Sequence, residues 1–216
     1  MKKSETIRII EETGVIAIMR AQSSDQLIAA AEAIRRGGVQ AIEVTMTTPG
    51  ALDVIARARE TLGKEVAFGA GTVLDPETGR AAILAGADFV VSPTLNLALV
   101  ELCNRYGVPA VPGCYTPTEI LQAWQAGADF VKLFPASVGG PDVIKAILAP
   151  LPQVRIIPVG GVDLDTAAAF IKSGAVALGV GSSLINQKLL DAGDMEELTR
   201  RAAAFIVQVK KGRGQC

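Results

Sequence analysis

A chain of 216 residues, half of them apolar, is long enough to bury one sizeable core, and its 21 basic and 22 acidic residues cancel to a net charge of -1. With no basic surplus the composition excludes an electrostatic footprint for nucleic acid or an anionic membrane, and no uncharged apolar run is long enough to span a bilayer. Histidine is absent, which removes the usual zinc ligand and the Ser-His and Cys-His nucleophile systems; acid–base work falls to Glu, Asp, Lys, Tyr or Cys, with carboxylate-bound magnesium left open.

The N-terminus MKKSETIRIIEETG interleaves apolar and charged residues. It has no secretory core, and residues 4–13 read as a helix that covers the end of a sheet. Eight strand candidates follow: 15–19, 41–45, 65–70, 88–92, 108–111, 129–133, 155–159 and 176–180. Most are continuous apolar runs, as in parallel sheets covered on both faces. Amphipathic stretches such as 23–36 and 164–173 lie between them, with Ser23 and Asp75 placed as helix caps and Pro76 at a first helical turn. The pattern predicts an α/β chain, a single (β/α)8 barrel over residues 1–216 with an extra N-terminal helix. The tail KKGRGQC is expected to fray. Three cysteines without metal or CxxC spacing fit a reducing cytoplasm.

Gly38, Gly86, Gly127 and Gly174 each end a helix before every second strand. The repeat gives these strands a common register, in which Glu43, Val91, Lys132 and Gly179 stand five residues beyond each glycine. In a barrel, inward residues form layers of four from alternate strands. Glu43 and Lys132 then reach towards each other, with small residues leaving space between them. A lysine between Val131 and Leu133 is costly to bury unpaired. It is either half of a structural ion pair or an amine nucleophile with Glu43 as its acid–base partner. Desolvation lowers such a lysine's pKa while the carboxylate raises it, and the sequence does not sign the sum.

Two glycine-bearing segments end strands seven and eight: Gly160-Gly161, and Gly179-Val180-Gly181-Ser182 followed by Ser183. Loops at these places form the recurrent phosphate site of the fold, with a following short helix adding its dipole. Turn chemistry is the bland alternative. The segment GAGT (69–72) opens room for a ligand, and Thr72 offers a hydroxyl and an N–H to a carboxylate, or else caps a helix. Arg20, at the rim after the first strand, either holds an anion through its fork of donors or is solvated.

The chain resembles the bacterial 2-keto-3-deoxy-6-phosphogluconate (KDPG) aldolases, also known as 4-hydroxy-2-oxoglutarate (KHG) aldolases. The resemblance runs through IAIMRA (16–21), AIEVTMTTP (41–49), GAGTVL (69–74), VSP (91–93), PGCYTPTE (112–119), KLFPA (132–136), PVGGV (158–162) and GVGSSL (179–184). It implies a class I aldolase, a lyase that cleaves a 2-keto-3-deoxy-6-phospho sugar acid to pyruvate and glyceraldehyde 3-phosphate, with 4-hydroxy-2-oxoglutarate as a shorter substrate. It implies Lys132 as the Schiff-base residue and Glu43 as the proton shuttle. Thr72, Pro93 and Phe134 match positions lining the pyruvate site, and Gly161, Gly181 and Ser182 match the phosphate loops. No metal or cofactor, a homotrimer and a cytoplasmic setting are implied as well. Two positions depart: Thr47 stands where many members have a substrate-contacting Arg, and Val159 where many have Thr. The related 2-keto-3-deoxy-6-phosphogalactonate aldolases can also carry Val there. The rivals are another phosphate-binding barrel enzyme and a non-catalytic phosphosugar-binding barrel.

Overall fold

The protein is described by a computed structural model covering residues 1–20 and 23–215. Ala21, which closes the IAIMRA segment, Gln22 and Cys216 lie outside the described residues. Strands and helices alternate: α1 (Lys3–Thr13), β1 (Val15–Met19), α2 (Ser24–Arg36), β2 (Ala41–Thr45), α3 (Ala51–Leu62), β3 (Ala67–Gly71), α4 (Pro76–Leu84), β4 (Phe89–Val91), α5 (Leu97–Tyr106), β5 (Ala110–Val111), β6 (Gly113–Cys114), α6 (Pro117–Gln125), β7 (Val131–Leu133), a 3-10 turn (Ala136–Val138), α7 (Gly140–Leu148), β8 (Ile156–Pro158), α8 (Ala167–Lys172), β9 (Leu178–Val180), α9 (Gln187–Ala192) and α10 (Met195–Gly212).

The strands pair in parallel throughout, in the orders β5-β4-β3-β2-β1-β9 and β6-β7-β8. This is a curled parallel sheet clothed by helices. The fifth strand candidate is the one that differs from expectation, because β5 and β6 flank Pro112. Proline has no N–H to give to a ladder, although the Pro112 carbonyl still accepts from Lys132 N at 2.9 Å. An isolated parallel bridge joins Val159 to Gly179.

Alternation along the strands divides the apolar residues into two cores. The larger core lies between strands and helices, where Phe68, Ile42, Ile34 and Phe205 are fully buried. The smaller core is on the concave face and contains Ile16, Ala41, Ala67, Phe89, Phe130, Ile157 and Ala177. Ile9 and Ile10 of α1 join this second core, so the N-terminal helix closes one end of the curl, as expected.

The local signals are expressed as the sequence suggests. The Ser23 side chain accepts from Gln26 N, and Asp75 accepts from Thr78 N at 2.7 Å with Pro76 in the first turn of α4. The glycines of the internal repeat all adopt positive φ: 96° at Gly38, 102° at Gly86, 86° at Gly127 and 106° at Gly174. The tail is a correction. α10 runs to Gly212, and the Arg213 guanidinium donates to the carbonyls of Glu11, Glu12 (2.9 Å) and Val176 (3.1 Å). Backbone acceptors in the last turn of α1 and ahead of β9 thus pin Arg213, in a segment whose composition suggested fraying. No helix among the described residues is long and apolar enough to cross a membrane.

Candidate active site

The two inward charges stand on β2 and β7. Glu43 is 2% exposed and Lys132 is 6% exposed. One step towards the α1 end, the same strand faces carry Ala41 and Phe130. Val91 also points into the inner core, and Gly179 packs against Val159 and Ile18. The common register therefore places all four expected residues on the concave face. No direct ion pair or hydrogen bond links Glu43 to Lys132 among the described residues, yet each feels the other's charge. Burial lowers the Lys132 pKa from 10.5, with Glu43 opposing that shift and Arg20 adding to it. Burial raises the Glu43 pKa from 4.5, against the pull of Lys132 and Arg20. Desolvation therefore wins at both groups, which settles the sign that the sequence left open. The result is an amine more available as a nucleophile at neutral pH and a carboxyl better suited to take up and return a proton.

Phe134 connects Lys132 to solvent. Its ring centroid lies 5.0 Å from Lys132 Nζ, within cation–π range, and it lines a cleft of about 430 Å³. Arg20, Val159, Gly161, Gly181 and Ser182 also line that cleft. The N–H groups of Gly161, Val162, Ser182 and Ser183 have no protein acceptor among the described residues. These unpartnered donors at the cleft are the kind of group that can accept an anion. Gly161 is held at φ 75° against Ser137, whereas a Cβ on Gly181 would meet nothing within 4 Å. The first glycine is needed by the backbone and the second leaves open space. The short helix expected after this segment is α9, whose cap Asn186 and first residue Gln187 also line the cleft. Leu184 N and Ile185 N bond to Gly181 O, and α9 begins only at Gln187 behind the Asn186 cap. Free N–H groups of the turn and the start of α9 thus share one cleft.

Thr72, Pro93 and Thr47 do not line this cleft. Thr72 follows β3 at φ 58°, left-handed backbone that a β-branched residue rarely adopts. It caps no helix, since Asp75 caps α4. The Pro93 backbone lies where a Gly113 Cβ would go, and Gly113 pairs with Lys132, so Pro93 is carried next to the lysine's strand. Thr47 is exposed, with its hydroxyl 2.9 Å from Thr45 Oγ1, which also approaches Thr48 Oγ1 at 3.4 Å.

Sequence reasoning missed this hydroxyl cluster. Thr45 stands two residues past Glu43, and the period of two could have found it. The reading of GAGT also changes. Side chains already fill the space over its two glycines, the Phe89 ring over Gly69 and the Glu43 carboxylate over Gly71. Among the described residues, no group of three or more His, Cys, Asp or Glu side chains is placed to hold a metal ion.

The family model described as KDPG and KHG aldolase matches residues 6–201. The 2-dehydro-3-deoxy-phosphogluconate aldolase of Treponema pallidum (strain Nichols) is 36% identical over 191 residues, 88% of this chain and 90% of that protein. The 2-dehydro-3-deoxy-6-phosphogalactonate aldolase of Escherichia coli (strain K12) is 35% identical over 194 residues, 89% of this chain and 92% of its own length. Among solved structures, the KDPG aldolase of Legionella pneumophila, with pyruvate captured at low pH as a covalent carbinolamine intermediate, matches with a TM-score of 0.87. It is 26% identical and covers 93% of this chain and 97% of that one.

Proposed function

The chain belongs to the KDPG and KHG aldolase family, and on that premise we propose a reaction for its concave site. It is a class I aldolase, a lyase that forms a Schiff base between a lysine and pyruvate. It reversibly cleaves 2-keto-3-deoxy-6-phosphogluconate to pyruvate and glyceraldehyde 3-phosphate, and 4-hydroxy-2-oxoglutarate to pyruvate and glyoxylate. The observation that carries this reading is the buried Lys132 amine, lowered in pKa and electrostatically coupled to a buried Glu43 of raised pKa.

In this reading, neutral Lys132 Nζ adds to the C2 keto carbon, protonated Glu43 gives its proton to the carbinolamine hydroxyl, and water leaves, giving an iminium ion that acts as an electron sink and a Glu43 carboxylate ready to act as base. Glu43 takes the proton of the C4 hydroxyl. The C3–C4 bond breaks, its electrons form the pyruvate enamine, and the aldehyde departs. Glu43 returns the proton to C3, and hydrolysis of the new iminium frees pyruvate and Lys132. The Phe134 ring and Pro93 flank the pyruvate moiety, and Thr72 holds its carboxylate. Arg20 and the free N–H groups around Gly161, Gly181 and Ser182 receive the phosphate. Thr47 stands at the rim over the distal part of the sugar acid.

A second substrate deserves a test because Val159 lines the cleft and removes a hydroxyl that many relatives have: the C4 epimer, 2-keto-3-deoxy-6-phosphogalactonate. Pyruvate release should be measured by a coupled assay with each epimer. Cleavage of the gluconate form at the greater kcat/KM supports the first reading, preference for the galactonate form supports the second, and release from neither overturns both.

Several finer features belong to the same proposal. Residues 110–114 pair with β4 on one side and β7 on the other, and with the Val159–Gly179 bridge they support one closed (β/α)8 barrel spanning residues 1–216 as a single domain. The buried free thiols of Cys103 and Cys114, both raised to about 12 by desolvation, suit a cytoplasmic setting. Assembly as a homotrimer with cyclic symmetry is proposed from the resemblance; sedimentation equilibrium at micromolar concentration that found only monomer would reject it.

A further inference from the structure

In and beside a curled sheet, each glycine leaves a space, and what occupies that space differs from one glycine to the next. At Gly113 it is the Pro93 backbone. At Gly181 the space is open, and at Gly69 the Phe89 ring fills it. Gly71 stands apart, because the three atoms nearest to its missing Cβ all belong to Glu43: Oε1, Cδ and Cγ. They lie well inside 3.0 Å, closer than real Cβ atoms come to other groups. Gly71 closes β3 and is not among the glycines of positive φ. Its backbone would accept alanine, so the conformational freedom of glycine does not explain the residue. Glu43 pairs with Gly69 and Thr45 with Gly71. The Glu43 side chain thus leans one step along the sheet, away from the α1 end, and lays its carboxylate across the bare Cα of Gly71.

We propose that Gly71 is a positioning residue for the acid–base group: its missing side chain is the seat that holds the Glu43 carboxylate where it can reach the substrate. The inference rests on the proton-shuttle role of Glu43 proposed above. A methyl group at position 71 would push the carboxylate out of its seat while leaving the strand and Lys132 in place. A shift of about 1 Å in a catalytic group costs roughly 10²-fold in rate.

The test uses the full-length protein and three readouts: covalent trapping of pyruvate by borohydride, kcat for cleavage, and the acidic limb of the kcat/KM profile. Gly71→Ala should keep trapping, lose about 10² in kcat, and move the acidic limb to lower pH, because the carboxylate leaves the buried position that raises its pKa. Adding Glu43→Asp to Gly71→Ala shortens the acid by one methylene and should recover part of the loss. If Gly71→Ala fails to fold, Glu43→Ala/Gly71→Ala removes the obstructing atoms and should fold; failure of that double variant too would mean the methyl meets something else, and would overturn the proposal. A Gly71→Ala protein with unchanged kcat and pH profile would also overturn it. Glu43→Gln alone separates this inference from the reading beneath it. If Glu43→Gln keeps full turnover, the shuttle role itself is wrong. If it is slow while Gly71→Ala is normal, only the seat is wrong.

Discussion

The concave face of the sheet has two ends that differ by a single step along the same strands. Near α1, β2 contributes Ala41, residue 130 ahead of β7 is Phe, and residue 177 ahead of β9 is Ala, packed with Phe89 and sealed by Ile9 and Ile10. One step on, the same faces carry Glu43, Lys132 and Gly179. The first end gains stability from burial. The second gives some up, since both of its charges are desolvated and shifted towards their neutral forms. The sign of the pH effect follows. The native lysine binds a proton less readily than the unfolded one, so its contribution to stability grows as pH rises towards 10.5. The native carboxyl holds its proton more tightly, so its contribution falls as pH rises above 4.5. Groups that weaken a core need another reason to be there, and the reaction proposed for Glu43 and Lys132 supplies one.

The largest expected effect that would sharpen this contrast is on rate. Glu43→Gln keeps the shape and removes the base. Turnover should fall by about 10²–10⁴-fold with trapping intact, and a melting temperature lowered as far as a core mutant's would argue for a merely structural pair. The mirror experiment is Phe130→Ala. Deleting a fully buried ring should cost about 3–5 kcal/mol in denaturant unfolding with turnover per folded molecule preserved. Equal losses of stability at the two positions would erase the distinction.

A smaller effect is expected at the mouth. Ser182→Glu adds like charge beside the free N–H groups. A hydrogen bond to a charged group is worth about 1.5–3 kcal/mol, so KM for a phosphorylated substrate should rise roughly 10- to 100-fold. KM for glyoxylate in the reverse reaction should change little. An unchanged KM for the phosphorylated substrate would move its phosphate elsewhere. The smallest effect is a shift in pH dependence. Arg20 lowers both the Lys132 and the Glu43 pKa, so Arg20→Met should move the rising limb of trapping to higher pH. A limb that moves the other way would contradict the electrostatic picture.

How far the sequence carries depends on how local each signal is. Helix caps at Ser23 and Asp75, and the left-handed glycines, are set by two or three neighbouring residues, and they were legible. The placement of Glu43 and Lys132 on one concave face was legible as well, because the glycine repeat gives distant strands one register. What was not legible depends on contacts between distant segments. The Arg213 guanidinium finds backbone carbonyls of α1 that no composition rule foresees. Pro112 splits the fifth strand because its missing N–H matters only beside its actual neighbours. GAGT was read as room for a ligand because a sequence shows that a side chain is missing without showing what fills the gap.

Lys132 carries the central step of the proposed reaction. Pyruvate and borohydride should be added to the native protein, to Lys132→Ala and to Lys132→Arg, and the products digested and mapped by mass spectrometry. A single reduced pyruvate adduct is predicted on Lys132 of the native protein, with none on either folded variant and no turnover in either, because a guanidinium stays protonated and cannot form the imine. An adduct on another lysine, or a folded Lys132→Ala protein that cleaves substrate at the native rate, would contradict it.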